Sequence, residues 1–188
     1  EISINPFDLK LNINLADHKI SKLFNINPIL IEFIKSELLF NENISLNTSI
    51  NANTNVKSEF FNDAKINIDI INGKINFNKT KFINHNIGSL EIGNSNLFLK
   101  NNELVLNSDI LIDIQNSENL FSFLNTIKLS RKNFKKILIN LDYNFLTNQI
   151  KFNKVKIDNN EVSDQFLNII DEFNDNNSNN SVSTRRLI

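Results

Sequence analysis

Cysteine, methionine and tryptophan are absent, and the 188 residues include only 3 glycines, 2 prolines and 1 tyrosine. Without cysteine there is neither a disulfide nor thiolate chemistry, which favours the cytosol or a bacterial periplasm over a small secreted eukaryotic domain. Gly73, Gly88 and Gly93 are too few and too scattered to build a phosphate-cradling loop. Charge of one sign is also lacking: 20 basic and 21 acidic residues leave a net charge of −1, and nothing electrostatic recommends a nucleic-acid partner. No long hydrophobic run exists. The most apolar stretch, Ile29 to Phe40, is interrupted by Glu32, Lys35 and Glu37 and is too short to span a bilayer. The chain opens at Glu1 almost directly into a strand pattern, with no signal peptide, and reads as a segment of a longer protein whose anchor lies elsewhere.

What is present is a hydrophobic fraction of 40% and a charged fraction of 22%, the composition of one ordered domain with a real core. Asparagine, isoleucine, lysine and phenylalanine are heavily used, as AT-rich codons would produce. Codon bias does not explain 16 Phe against 1 Tyr, because both have AT-rich codons. Preferring the ring without the hydroxyl suits a dry face where a hydroxyl would lack a partner.

Period-two alternation dominates. Phe7, Leu9, Leu11, Ile13 and Leu15 alternate with Asp8, Lys10, Asn12 and Asn14; Ile44, Leu46, Thr48, Ile50, Ala52, Thr54 and Val56 alternate with Ser45, Asn47, Ser49, Asn51, Asn53 and Asn55. Such strands carry one oily and one wet face, as in an antiparallel sheet. Asn72-Gly73 predicts a two-residue turn that sets Ile71 against Lys74, Ile70 against Ile75 and Ile68 against Phe77. Asn101-Asn102 predicts Lys100 against Glu103, Leu99 against Leu104 and Leu97 against Leu106. Thr147-Asn148 predicts Phe145 against Ile150 and Tyr143 against Phe152. A bulge near Asn153-Lys154 then brings Leu141 to Val155 and Ile139 to Ile157.

Three or four short helices accompany about eight strands. One starts at Asn27-Pro28 and covers Ile29 to about Phe40; Ser117 caps another over Glu118 to Asn125; Ser163 or Asp164 opens a third through Phe173. The expected domain is residues 1–173, followed by a disordered Asn/Ser-rich tail, 174–188.

No catalytic constellation emerges, so neither an enzyme nor a cofactor is expected. His18 and His85 are far apart and lack neighbours at metal-ligand spacing, and His85 reads as a solvated loop histidine. Lys128, Arg131, Lys132, Lys135 and Lys136 form a basic cluster that could meet anionic headgroups or serve as a solubilising loop.

An apolar sheet face on this scale needs a cover: a second sheet, its own curvature, neighbouring repeats or a ligand. Ile4–Leu15, the short helix Lys19–Phe24, Gly73–Asn78, Ile87–Gly93, the Leu97–Ile114 hairpin, and Ile137–Phe145 with Ile150–Asp158 together resemble the C-terminal region of AsmA-family proteins over about residues 4 to 173. The resemblance rests on alternation, turns and a few glycines. It implies a strongly curved β-groove that holds phospholipid acyl chains. It also implies a periplasmic location with an anchor in the bacterial inner membrane, and a part in lipid transport and outer-membrane biogenesis. The expected apolar lining is Leu46, Ile50, Ile68, Ile70, Ile75, Phe77, Leu104, Leu106, Ile110, Ile112, Ile139 and Leu141; in a self-filled sandwich the same residues would form the core. The alternative is a structural or adhesive β-rich module, a solenoid or sandwich, of a cell-surface protein.

Overall fold

The computed structural model describes residues 2–4, 7–24, 36, 38–101, 103–128 and 131–175. Eleven strands form a single sheet: β1 (Ile2–Ile4), β2 (Phe7–Leu15), β3 (Ile44–Asn53), β4 (Asp63–Ile71), β5 (Lys74–Asn76), β6 (Thr80–Asn84), β7 (Gly88–Lys100), β8 (Glu103–Ile114), β9 (Lys136–Asn144), β10 (Gln149–Ile157) and β11 (Asn160–Glu161). Spatial order follows chain order, with β5 and β6 sharing the slot between β4 and β7. Pairing is antiparallel throughout except at β2 and β3, which run parallel from Phe7↔Ile44 to Leu15↔Ala52. The sheet is therefore mixed, not purely antiparallel. Alternation specifies which residues share a face but carries no direction. The long connection from Leu15 to Ile44 is what allows the chain to re-enter from the same end.

The Asn101 hairpin has the expected register, including Lys100↔Glu103 and Leu97↔Leu106. The Asn72-Gly73 hairpin forms Ile71↔Lys74 and Ile70↔Ile75, but β5 stops at Asn76 and the Ile68–Phe77 pair is not made. Lys79 takes a φ of 64° and β6 resumes with Ala64↔Phe82, one residue out of step. The turn after β9 is longer than expected. Asn144 Oδ1 accepts from the backbone N–H of Leu146 and Thr147, so β10 pairs Ile150 with Tyr143 and Phe152 with Leu141. A bulge does fall between Phe152 and Lys154, but it brings Val155 to Ile139 and Ile157 to Ile137. A slip of two residues keeps every side chain on its face, and so leaves the alternation unchanged.

Two α-helices occur among the described residues, α1 (Ser117–Phe123) and α2 (Asp164–Asp175). The cap of α1 is Asn116, whose side chain accepts from Asn119 N; Ser117, the expected cap, hydrogen-bonds Asn133 instead. Most of the helix expected over Ile29–Phe40 lies outside the described residues, and its end, Leu38–Phe40, is a 3-10 turn. Ile20–Phe24 forms another 3-10 turn, the first of the two in chain order. Helix α2 runs two residues beyond the expected boundary, and the rest of the expected tail lies outside the described residues. Those two residues matter. Asn174 Nδ2 donates to Phe152 O and its Oδ1 accepts from Phe152 N, at 2.8 and 2.9 Å. A side-chain amide thus stands in for a neighbouring strand along β10, where an open edge would otherwise expose its backbone groups.

Candidate functional site: one apolar face and a polar cleft at its rim

The observed registers place the apolar member of nearly every cross-strand pair on one side. Leu9, Leu46, Ile70 and Ile75 form one row across four strands; Ile13, Ile50 and Ile66 form another; Leu90, Ile112 and Ile137 form a third. The opposite side carries an amide and carboxylate lattice: Asn47 donates to Asp69, Asn107 to Asp142, and both Asn94 and Asn140 to Asp109. Amides bridging carboxylates reduce repulsion between neighbouring acids and leave this side water-facing.

The apolar side is not uniformly covered. Near one end of the strands, Ile20 from the first 3-10 turn fills the notch left by the paired small residues Ala52 and Ala64 and packs with Phe82. Leu15, Leu23, Phe61, Ile66 and Leu90 surround this cluster. Asp17 N and His18 N donate to Asn53, and Ser21 N and Oγ donate to the Glu59 carboxylate at 2.8 Å, pinning the turn in place. Those two donors hold Glu59 below its ordinary carboxylate range. Near the other end, Ile70, Ile75, Leu97 and Leu104 are buried beneath Leu39 and Phe40 of the second 3-10 turn. Gly73 lets Phe40 approach: a Cβ there would overlap the Phe40 carbonyl.

Between these plugs runs a less covered band. Ile50, Ile68, Ile110, Ile112, Ile139 and Leu141 belong to neither cluster and are each partly exposed. Towards the β2 edge exposure rises to 39% at Leu11 and 38% at Ile13. Small hydroxyl residues sit along the middle of the same side: Thr48, Thr80, Ser95 and Ser108 are all buried. Ser95 is tied to Asn78 Oδ1 and Phe77 N, whereas Ser108 Oγ, 0% exposed, has no hydrogen-bond partner.

The twelve expected lining residues therefore divide. Eleven share the apolar side, and Phe77, though outside the strands, packs against the same cluster as its neighbours. Ile70, Ile75 and Leu104 are sealed core rather than accessible lining; Leu46, Phe77 and Leu106 pack against them; the other six form the band.

The basic cluster does not act as one patch. Arg131 is committed to the fold: its guanidinium contacts Glu118 at 2.7 Å, donates to Thr126 O and lies 6.0 Å over the Phe121 ring. Lys135 and Lys136 offer their backbone N–H groups to Asp158, which lowers that carboxyl from its ordinary range. Their side chains, with Lys128 and Lys132, remain exposed.

His85 is not merely solvated, for its Nε2 meets the Asp63 carboxylate. Strand pairing carries Asp63 beside Ile83 and hence beside this turn, a proximity that spacing in the sequence does not reveal. The pair belongs to a cleft of about 860 Å³ between the loop after β3, the β6–β7 turn and α1. Among the described residues no group of three or more His, Cys, Asp or Glu side chains could hold a metal ion, and no helix is long and apolar enough to cross a membrane.

Fold and site together define a class: a single large mixed sheet with one apolar side plugged near both strand ends. The chain matches no protein-family model, no curated protein and no solved structure.

Proposed function

We propose that this chain holds the acyl chains of phospholipids on the apolar side of its sheet. The observation that carries the reading is the partly exposed band between the two plugged ends, running across the strands rather than along them. From Leu11 on β2 to Ile139 on β9 the band crosses six strand spacings, about 29 Å at ~4.8 Å each. An acyl chain occupies half of a ~30 Å bilayer core, so the band has room for one lying along it. Each methylene moved from water onto the band gains about 0.8 kcal/mol, so a tail is held without a specific contact. Bulges near Asn94 and Asn153 bend their strands, and with ordinary strand twist they favour curling of the sheet into a groove around that band.

The resemblance to AsmA-like proteins supplies the setting: a periplasmic segment of a protein anchored in the bacterial inner membrane, serving phospholipid transport and outer-membrane biogenesis. Exposed Lys128, Lys132, Lys135 and Lys136 suit contact with anionic headgroups, while Arg131 is removed from that role by its fold contacts. A solenoid or sandwich module is the less supported reading, because the strands form hairpins within one sheet. Native mass spectrometry of the chain purified from bacterial cells tests the proposal. Adducts with phospholipid masses, lost on Ile110→Asp, are expected; a lipid-free protein that also takes up no phospholipid from vesicles would refute it.

A further inference from the structure

The cleft beside His85 is unlike the apolar side, and its polar groups are not all used by the fold. Asn84 is consumed internally, donating to Phe60 O and accepting from Asn86 N. Asn62 spends its carbonyl on His85 N, and Asn119 spends its amide on Asn86 O. The groups left without a protein partner among the described residues include the Asn62 amide N–H groups, the Asn119 carbonyl, the Asn86 side chain and the Ser58 and Ser122 hydroxyls. One Asp63 oxygen is taken by His85 and the other faces no protein donor. Both donors and acceptors are thus left for a ligand around the cleft. Of its charged groups, Lys57 stands against two carboxylates: Glu59, itself held by Ser21, and Asp63, which His85 contacts. At one wall Phe60 packs at a tilt against Phe123, with ring centroids 4.5 Å apart and planes 44° from parallel, and Phe123 is 55% exposed.

We propose that this cleft binds a neutral polyhydroxylated ligand, a short oligosaccharide. Vicinal hydroxyls are donors and acceptors at once, as the amide set requires, and the C–H face of a pyranose ring covers an exposed aromatic ring that water covers poorly. A phosphate or carboxylate ligand is disfavoured by the Glu59 and Asp63 carboxylates, which face a single lysine. The cleft volume lies within the usual range for small-ligand sites.

The test is a two-dimensional NMR titration of the whole chain with chitotriose and, separately, maltotriose. Saturable shifts confined to residues around Asn62, His85, Asn86, Ser122 and Phe123, with a millimolar Kd, are expected for at least one sugar. Phe123→Ala should weaken that binding about tenfold or more with the remaining spectrum unchanged. Asn86→Ala, on an exposed turn, should weaken it severalfold and provides a second reading should the first variant misfold. Absence of saturable shifts with both sugars, shifts produced only by inorganic phosphate, or binding indifferent to both substitutions would overturn the proposal.

Discussion

Replacing Gly73 with alanine tests how the distal plug is built. Gly73 has a φ of 71°, a region that costs an L-residue about 1–2 kcal/mol. Its missing Cβ also leaves the space occupied by the Phe40 carbonyl, so an added methyl forces the Leu38–Phe40 turn away from the sheet. Leu39 and Phe40 then lose part of their cover over Ile70, Ile75, Leu97 and Leu104. Fully burying one such side chain is worth about 1.5–3 kcal/mol, and partial loss of two adds about 2 more. The expected destabilisation is about 3–4 kcal/mol, a fall of roughly 6–16 °C in Tm for a chain of this length. Gly93 is the control, because a Cβ there meets nothing within 4 Å and its φ is not positive. Urea unfolding of Gly73→Ala and Gly93→Ala, with hydrogen exchange across Leu38–Phe40, measures both quantities. Equal stabilities for the two variants, or unchanged protection at Leu39 and Phe40, would refute the reasoning.

Three further outcomes follow from the contacts. Asn174→Ala removes both hydrogen bonds to Phe152 and should cost about 2 kcal/mol, with faster exchange at the Phe152 amide; Asn174→Asp, which keeps only the acceptor, should recover less than half. Arg131→Ala should destabilise by about 1–2 kcal/mol through loss of its contacts with Thr126 O, Glu118 and the Phe121 ring, whereas Lys132→Ala should fall within about 0.5 kcal/mol of the parent. Glu59, Asp158 and Glu161 all have carboxyl groups lowered from their ordinary values: by hydrogen bonds from Ser21, by backbone N–H groups of Lys135 and Lys136, and by Lys156 and Lys154 respectively. A depressed folded-state value stabilises at pH above the unfolded value and is lost as pH falls through the folded one. The urea midpoint should therefore hold from neutrality down to about pH 4.5 and drop below it. Asp158→Asn and Glu59→Gln should flatten that drop; an acid limb unchanged by both substitutions would contradict the assignment.

How much of this was legible in the amino acids depends on which interactions leave a local trace. Asn72-Gly73 and Asn101-Asn102 announce their turns because two adjacent residues must take positive φ or a tight bend, and apolar partners on either side then agree. The bulge at Asn153 is legible because Phe152, Val155 and Ile157 change phase within one strand. The four-residue turn at Phe145–Asn148 is not, since a two-residue slip preserves the face of every side chain. The direction of β2 against β3 is equally silent. Sharing of one side by Ile50, Ile68, Ile110, Ile112, Ile139 and Leu141 follows from parity alone. The sealing of Ile70, Ile75 and Leu104 depends on Leu39 and Phe40, which lie far off in the chain and come down on the sheet only in the fold. The same holds for His85 and Asp63, 22 residues apart and joined by the pairing of β4 with β6. Asn116 displaced Ser117 as the cap of α1 because Ser117 found Asn133, another tertiary partner.

The proposed lipid contact is confined to one side of the sheet, and neighbouring residues of β8 and β9 report on it directly. A photo-crosslinking phenylalanine analogue placed singly at Ile110, Leu111, Leu138 and Ile139, and irradiated in bacterial cells, reports contact by mass. Ile110 and Ile139 share the apolar side, while Leu111 and Leu138 pair on the other. Phospholipid adducts at Ile110 and Ile139 with none at Leu111 or Leu138 are predicted. Adducts on both sides alike, or on neither, would contradict the claim.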